Sequence, residues 1–293
     1  MEAFFQYTIN GLAVGGVYAL VAIGFVIIYR VVRVVNIAQG DFLAVGALVF
    51  LGLATHGLPV ALALLGGLVA TLLVSLVVER LAVVPGQHAE LRAFMLTLGA
   101  SQLIQGGVLL TFGSDFLSLP TNPRLVVAVG GLHVNLIYVF VTLLVVVVLV
   151  ALVLLMSRTR WGWAMLATAD DPLAARLCAI PVRTMGIVAF ALSAVVAGIG
   201  GALYGTVSVG TWDVGTTLAT SGFVGAVIGG MVNPVRAAIG GFALGLLREY
   251  VSGYGASYWQ EPMTFLFLIA LLLVAPNLAK RHARRRLAEA IPA

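Results

Sequence analysis

Several stretches of about 18 or more residues in this chain carry no charged side chain, which is the length a helix needs to cross a bilayer. Hydrocarbon offers a bare backbone no hydrogen bonds, so runs of this kind are confined to helices or closed barrels. They are helical in length and lack the strand-length alternation of a barrel, which leaves an all-α polytopic membrane protein. Composition agrees, with 61% of the 293 residues hydrophobic and 9% charged, against about 25% charged in soluble domains. The opening MEAFFQYTING has neither a basic region nor a small-residue cleavage site, so the first span is expected to be retained.

The pattern predicts nine spans in one transmembrane domain, residues 1–293, near 8–29, 36–54, 58–78, 93–113, 134–156, 185–207, 216–232, 235–252 and 262–279. Breaks fall at Gly57-Leu58-Pro59, Pro120 to Pro123, Trp212-Asp213, Asn233-Pro234 and Glu261-Pro262. The second and seventh spans are short enough to be broken or re-entrant. Alternating sides bring every Lys and Arg to one face except Arg124 and Arg248. The positive-inside rule then puts the N-terminus outside and the C-terminus in the cytoplasm. A connector at 157–184 and a basic tail at 280–293 lie on the cytoplasmic side. The net charge of +5 is therefore an orientation signal and not a nucleic-acid signal. The tail's KRHARRR is a stop-transfer anchor or a contact for anionic lipid heads.

Within the connector, Asp170, Asp171 and Pro172 read as a helix start. Asp171 caps free N–H groups, Pro172 suits the first helical position, and the acids complement the positive helix end. Leu173 and Leu177 then share one face, with Ala174, Ala175 and Cys178 adding little bulk, and Pro181 stops the element. This is either an ordinary loop or a short ridge shaped for another protein's groove.

A second polar feature interrupts the second span, where Asn36, Gln39 and Asp41 fall within two turns beside Gly40. A charged residue at membrane depth costs about 2.5–3.5 kcal/mol unless it faces a cavity or partner. Two readings follow: a broken helix lining a polar path, or an interfacial cap by Asn36 with Arg33 offsetting Asp41. Near the opposite face, Arg248 and Glu249 read as a structural pair.

The absences narrow the chemistry. Lys280 is the sole lysine, so no phosphate loop ending in Gly-Lys exists here. The spans lack the ladder of charged residues that proton-driven carriers often have. Cys178 is the only cysteine, and His56, His88, His133 and His282 stand singly, so no disulfide, metal site or other cofactor is expected. The pairs Gly11/Gly15, Gly201/Gly205, Gly225/Gly229 and Gly241/Gly245 have the spacing of close helix packing, within the chain or between chains.

The segment from Gly11 to Ala47 resembles the opening of the high-affinity branched-chain amino-acid ABC permeases, in particular the first of their two permease subunits. Gly11, Gly15, Tyr18, Ala19, Leu20, Ala22, Gly24, Tyr29, Asn36, Ala38, Gly40 and Asp41 match that family's pattern. The connector is similar to the family's ATPase-contacting loop through Ser157, Arg158, Gly162, Ala164, Ala167, Ala169, Asp170, Asp171, Ala175, Leu177 and Ile180. The glycine spacing of Gly225 to Gly245 agrees as well. Gln39, Trp163, Leu166, Ala179 and Asn233-Pro234 depart from it. A more distant likeness is to sugar permeases.

The resemblance implies a transport subunit of the bacterial inner membrane without its own ATPase. Its implied partners are a second homologous permease, two cytoplasmic ATPases, an extracytoplasmic solute-binding protein and membrane lipid. Asn36, Gln39, Gly40, Asp41 and Tyr18 would line the path, and Asp170 to Ala175 with Leu177 and Cys178 would take the ATPase's push. The solute is a branched-chain amino acid, or another small amide, carboxylate or aromatic. The rivals from other classes are a self-sufficient carrier or channel and a structural membrane subunit.

Overall fold

The computed structural model describes residues 2–86, 89–119, 126–129, 132–270, 272 and 273. In chain order the helices are α1 (Glu2–Val32), α2 (Gln39–Thr55), α3 (Val60–Val78), α4 (Glu90–Phe112), α5 (Leu136–Arg158) and α6 (Arg160–Asp170). They continue with α7 (Pro172–Leu177), α8 (Val182–Val207), α9 (Val214–Ile228) and α10 (Pro234–Tyr254). A further helical stretch covers residues 260–270, and the rest of the ninth expected span and the basic tail lie outside the described residues. Five stretches are long and apolar enough to cross a membrane: Ala3–Val32, Val60–Gly86, Leu91–Phe112, Leu136–Arg158 and Val182–Val207. The second and seventh expected spans are indeed the short apolar helices, Gln39–Thr55 and Val214–Ile228.

The all-α expectation needs one amendment. Strands β1 (Val126–Val129) and β2 (Leu132–Asn135) form an antiparallel hairpin where the sequence reads as a loop. The β-branched residues at 126, 127, 129 and 134 favour the extended backbone. Asn135 ends the hairpin and starts α5, its side-chain oxygen accepting from the Ile137 N–H at 3.1 Å. Pro120 to Pro123 and Arg124 fall outside the described residues.

The core is built around α1, which is enclosed along most of its length by α8, α9 and α10. Helices pack this closely because the glycine pairs remove the side chains between them. A methyl group on Gly245 of α10 would collide with the Gly15 backbone of α1, and one on Gly241 with the Ala19 backbone. These contacts run antiparallel, so the spacing serves packing within the chain.

The outer helices reverse the amphipathicity of a water-soluble protein. In α3, Ala63, Gly67, Thr71, Ser75 and Val78 are buried, while Leu62, Leu65, Val69, Leu73 and Val77 are exposed. Thr71 and Ser75 satisfy themselves inward, donating to Gly67 O at 2.8 Å and to Phe190 O at 3.1 Å. An exposed leucine–valine stripe facing outward and small polar residues facing inward is the arrangement hydrocarbon solvent requires. Gly245→Ala forces a methyl between two backbones, and the expected loss is about 1–3 kcal/mol, read as a lower thermal unfolding temperature in detergent.

Candidate functional site

The polar break lies inside the bundle because the chain doubles back after α1. Arg33 adopts a left-handed conformation (φ 60°) and its N–H closes on Tyr29 O at 2.9 Å, ending α1. Residues 34–38 then lead into α2, with Asn36 O accepting from Gln39 N–H at 3.2 Å and Ala38 O from Phe42 N–H at 3.1 Å. Thr97 of α4 supplies one missing partner, its Oγ1 accepting from Ile37 N–H at 3.3 Å. The first residue of α2, Gln39, packs on Gly24 of α1, and Ser193 of α8 donates to its Oε1 at 2.9 Å. Gly24 precedes the end of α1 by about two turns, so α2 begins roughly 12 Å back from that end.

The start of α9 meets the start of α2 at this depth. A side chain on Gly40 would strike the Gly215 carbonyl and the Ala219 amide, and one on Gly215 would strike the Asp41 carboxylate. Asp41 therefore sits in the first turn of its own helix and against the first turn of α9. Both positive helix ends converge on one acid. Neither helix has a side-chain cap. Gln105 of α4 completes the arrangement, its Nε2 lying 3.0 Å from Asp41 Oδ1 and Thr216 Oγ1 and 3.3 Å from Ser101 Oγ.

Asn36, Gln39 and Asp41 are each no more than 1% exposed. Among the described residues, both polar atoms of Asn36, Nε2 of Gln39 and Oδ2 of Asp41 have no partner. Unpaired buried polar atoms on this scale are costly, and they mark a place where polar groups are kept for something other than stability. Tyr18 belongs to a neighbouring group. Its ring lies under the Arg248 guanidinium at 5.5 Å, and Arg248 Nη1 donates to Ser221 Oγ at 2.8 Å.

Two sequence expectations are corrected here. Arg33 does not offset Asp41, because its guanidinium is used on the Ala169 carbonyl at the end of α6. Arg248 and Glu249 attract each other but form no close ion pair among the described residues; the nearer partners of Arg248 are Ser221 and the Tyr18 ring. Sequence reasoning also missed Gln105. The available signal was Thr97, Ser101 and Gln105 at four-residue intervals, a buried polar stripe on an apolar helix.

The connector folds as α6 and α7. Asp171 Oδ1 accepts from Leu173 N–H at 2.8 Å and Ala174 N–H at 3.1 Å, and Pro172 takes the first turn. Leu173 and Leu177 are 69% and 84% exposed, Asp170, Ala174 and Cys178 are exposed, and Ala175 is buried. Ala179 closes the element in the left-handed conformation usually given to glycine (φ 60°), with Ile180 N–H donating to Ala175 O at 3.0 Å.

Residues 7–276 match the family described as branched-chain amino acid transport system / permease component, and the chain belongs to that family. The high-affinity branched-chain amino acid transport system permease protein LivH of Escherichia coli (strain K12) is 29% identical, with 94% of each chain covered. The corresponding BraD of Pseudomonas aeruginosa is 27% identical at the same coverage. A probable branched-chain amino acid transport permease protein, LivH of Methanocaldococcus jannaschii, is 27% identical over 88% of this chain and 86% of its own. The resemblance read from the sequence is confirmed, and the protein is a multi-pass membrane permease subunit. Gln105→Leu strips Asp41 Oδ1 of its donor, and the expected cost is about 1–3 kcal/mol, measured by thermal unfolding of the purified permease.

Proposed function

We propose that this chain forms half of the membrane path of a bacterial ABC importer for branched-chain amino acids, in the inner membrane with nine spans, N-terminus outside. A second, similar permease completes the path. Two cytoplasmic ATPases supply hydrolysis, and an extracytoplasmic binding protein delivers solute. The observation that carries this reading is α7, a capped helix presenting two bare leucines beside a family match that spans nearly the whole chain. Exposed leucines on a polar connector need a protein groove, since about 1.5–3 kcal/mol accompanies burial of each.

The transmission route runs through named atoms. ATPase closure presses on α7, and α6 carries the displacement to Ala169. The Arg33 guanidinium hands it to the end of α1, and the 34–38 segment leads directly into Asn36, Gln39, Gly40 and Asp41. Moving the α2 start shifts it against Gly215 of α9 and opens or closes the polar break. Asp41 holds the two helix ends together while Asn36 and Gln39 face the moving solute.

Leu173→Asp/Leu177→Asp is expected to release the ATPase from the purified complex while the membrane part keeps its unfolding temperature. Co-purification at the unaltered yield would sink the lever assignment. Orientation is tested by Cys178, which is exposed. An impermeant maleimide is expected to spare it in sealed right-side-out cells and to label it in opened membranes stripped of ATPase.

A further inference from the structure

A cavity of about 120 Å³ opens between α9, α10 and the 260–270 helix, lined by Thr216, Thr217, Thr220, Arg248 and Glu261, with Phe265 as an apolar wall. It is unusual for its place. With Thr264, four hydroxyls, a cation and an acid share one recess. Arg248 is 6% exposed, and its Nε has no partner among the described residues. Burying a guanidinium without a close ion pair is expensive, and the ring of Tyr18, the hydroxyl of Ser221 and the more distant Glu249 carboxylate offset only part of that cost. Glu261 is exposed on the same recess, held by nothing stronger than the Thr217 hydroxyl at 3.4 Å. The cavity also joins the polar break, because Thr216 lines it and contacts Gln105, which contacts Asp41.

We propose that this recess is a transient subsite for the head group of an α-amino acid, with Arg248 taking the carboxylate and Glu261 the ammonium group. The proposal rests on the permease reading and adds to it the residues that recognise the solute inside the membrane. A planar guanidinium matches a carboxylate fork. An acid with one weak hydroxyl contact is free to accept from an ammonium group. The hydroxyls of Thr216, Thr217 and Thr220 replace water during passage, and Phe265 meets an aliphatic side chain. Recognition limited to the head group accepts leucine, isoleucine and valine alike and leaves discrimination among them to the binding protein. A subsite that binds by two ordinary charged contacts also releases quickly, as a path requires.

The test uses the complete transporter in vesicles, with its second permease, ATPases and binding protein, and radiolabelled leucine as probe. Glu261→Gln is the decisive variant, because an exposed side chain is changed without touching the core. Uptake at saturating loaded binding protein is expected to fall about tenfold, the worth of one charge-assisted contact. ATP hydrolysis stimulated by that protein should stay within about twofold, and Glu261→Asp should recover much of the uptake. Arg248→Lys, which keeps the charge and loses the fork, should lower uptake similarly in a complex of unchanged unfolding temperature. Both variants importing leucine at the unaltered rate would overturn the subsite and leave the permease reading standing. Parallel loss of uptake and hydrolysis in Glu261→Gln would overturn it too, by making Glu261 part of coupling. A dependence of uptake on ethanolamine lipid that Glu261→Gln removes would assign the recess to a lipid head instead. No uptake of leucine, isoleucine or valine by the unaltered complex would overturn the solute reading itself.

Discussion

Everything polar in this permease depends on the crossing of α2 and α9 at Gly40 and Gly215. No side chain separates the two backbones there, so two helix N-termini are held face to face inside the bundle. Each N-terminus leaves N–H groups unsatisfied and carries partial positive charge. A carboxylate between them is the natural counterweight, and Asp41 occupies that place without an ion pair among the described residues. Substituting either glycine with anything larger would part the helices and strand the acid. The cost of an Asp at depth is thus met by backbone geometry, with Gln105 and Ser101 of α4 as side-chain donors.

On the proposed reading, the crossing would also carry a motion of the connector to the path. A rigid membrane helix transmits displacement along its axis, but α2 does not continue α1; the two are joined by the non-helical residues 34–38. Those residues are tied to α4 by Thr97 and, through Arg33, to α6. On the lever reading proposed above, the connector would act on the non-helical backbone near the polar break, where few helical hydrogen bonds have to be stretched. Non-helical backbone is tolerated at this depth because protein surrounds it.

Local signals in the sequence were legible and long-range ones were not. Asp171-Pro172 announces a helix start because capping chemistry is complete within four residues, and the structure has that cap. The glycine pairs announce close packing because spacing alone sets a helix face. Sequence adjacency suggests an Arg248–Glu249 pair, but that attraction closes into no ion pair among the described residues. Neighbouring positions on a helix point about 100° apart and do not face each other, so the nearer partners came from α1 and α9. Gln105 was invisible for a related reason. A single amide on an apolar helix says that a partner exists but not where, and Asp41 lies two helices away in the chain. The hairpin at 126–135 was missed because a short β-branched run between spans looks the same as a loop until a second run pairs with it.

The two acids near the path differ in what they are free to do. Asp41 has its Oδ1 engaged by Gln105 and its charge balanced by two helix ends, so an arriving ammonium group would compete with fixed dipoles already in place. Glu261 has one long hydroxyl contact and shares its recess with an arginine. A fixed acid suits the hinge on which two helices turn, and a free one suits a binding site that must fill and empty in every cycle. The proposed subsite would place structure and recognition on different carboxylates, linked by the short relay of Gln105 and Thr216. A shift of α2 against α9 moves Thr216 relative to Arg248, so the geometry of the recess changes with the state of the hinge. Coupling between the lever and the solute then needs no long pathway, because the hinge and the recess share a wall.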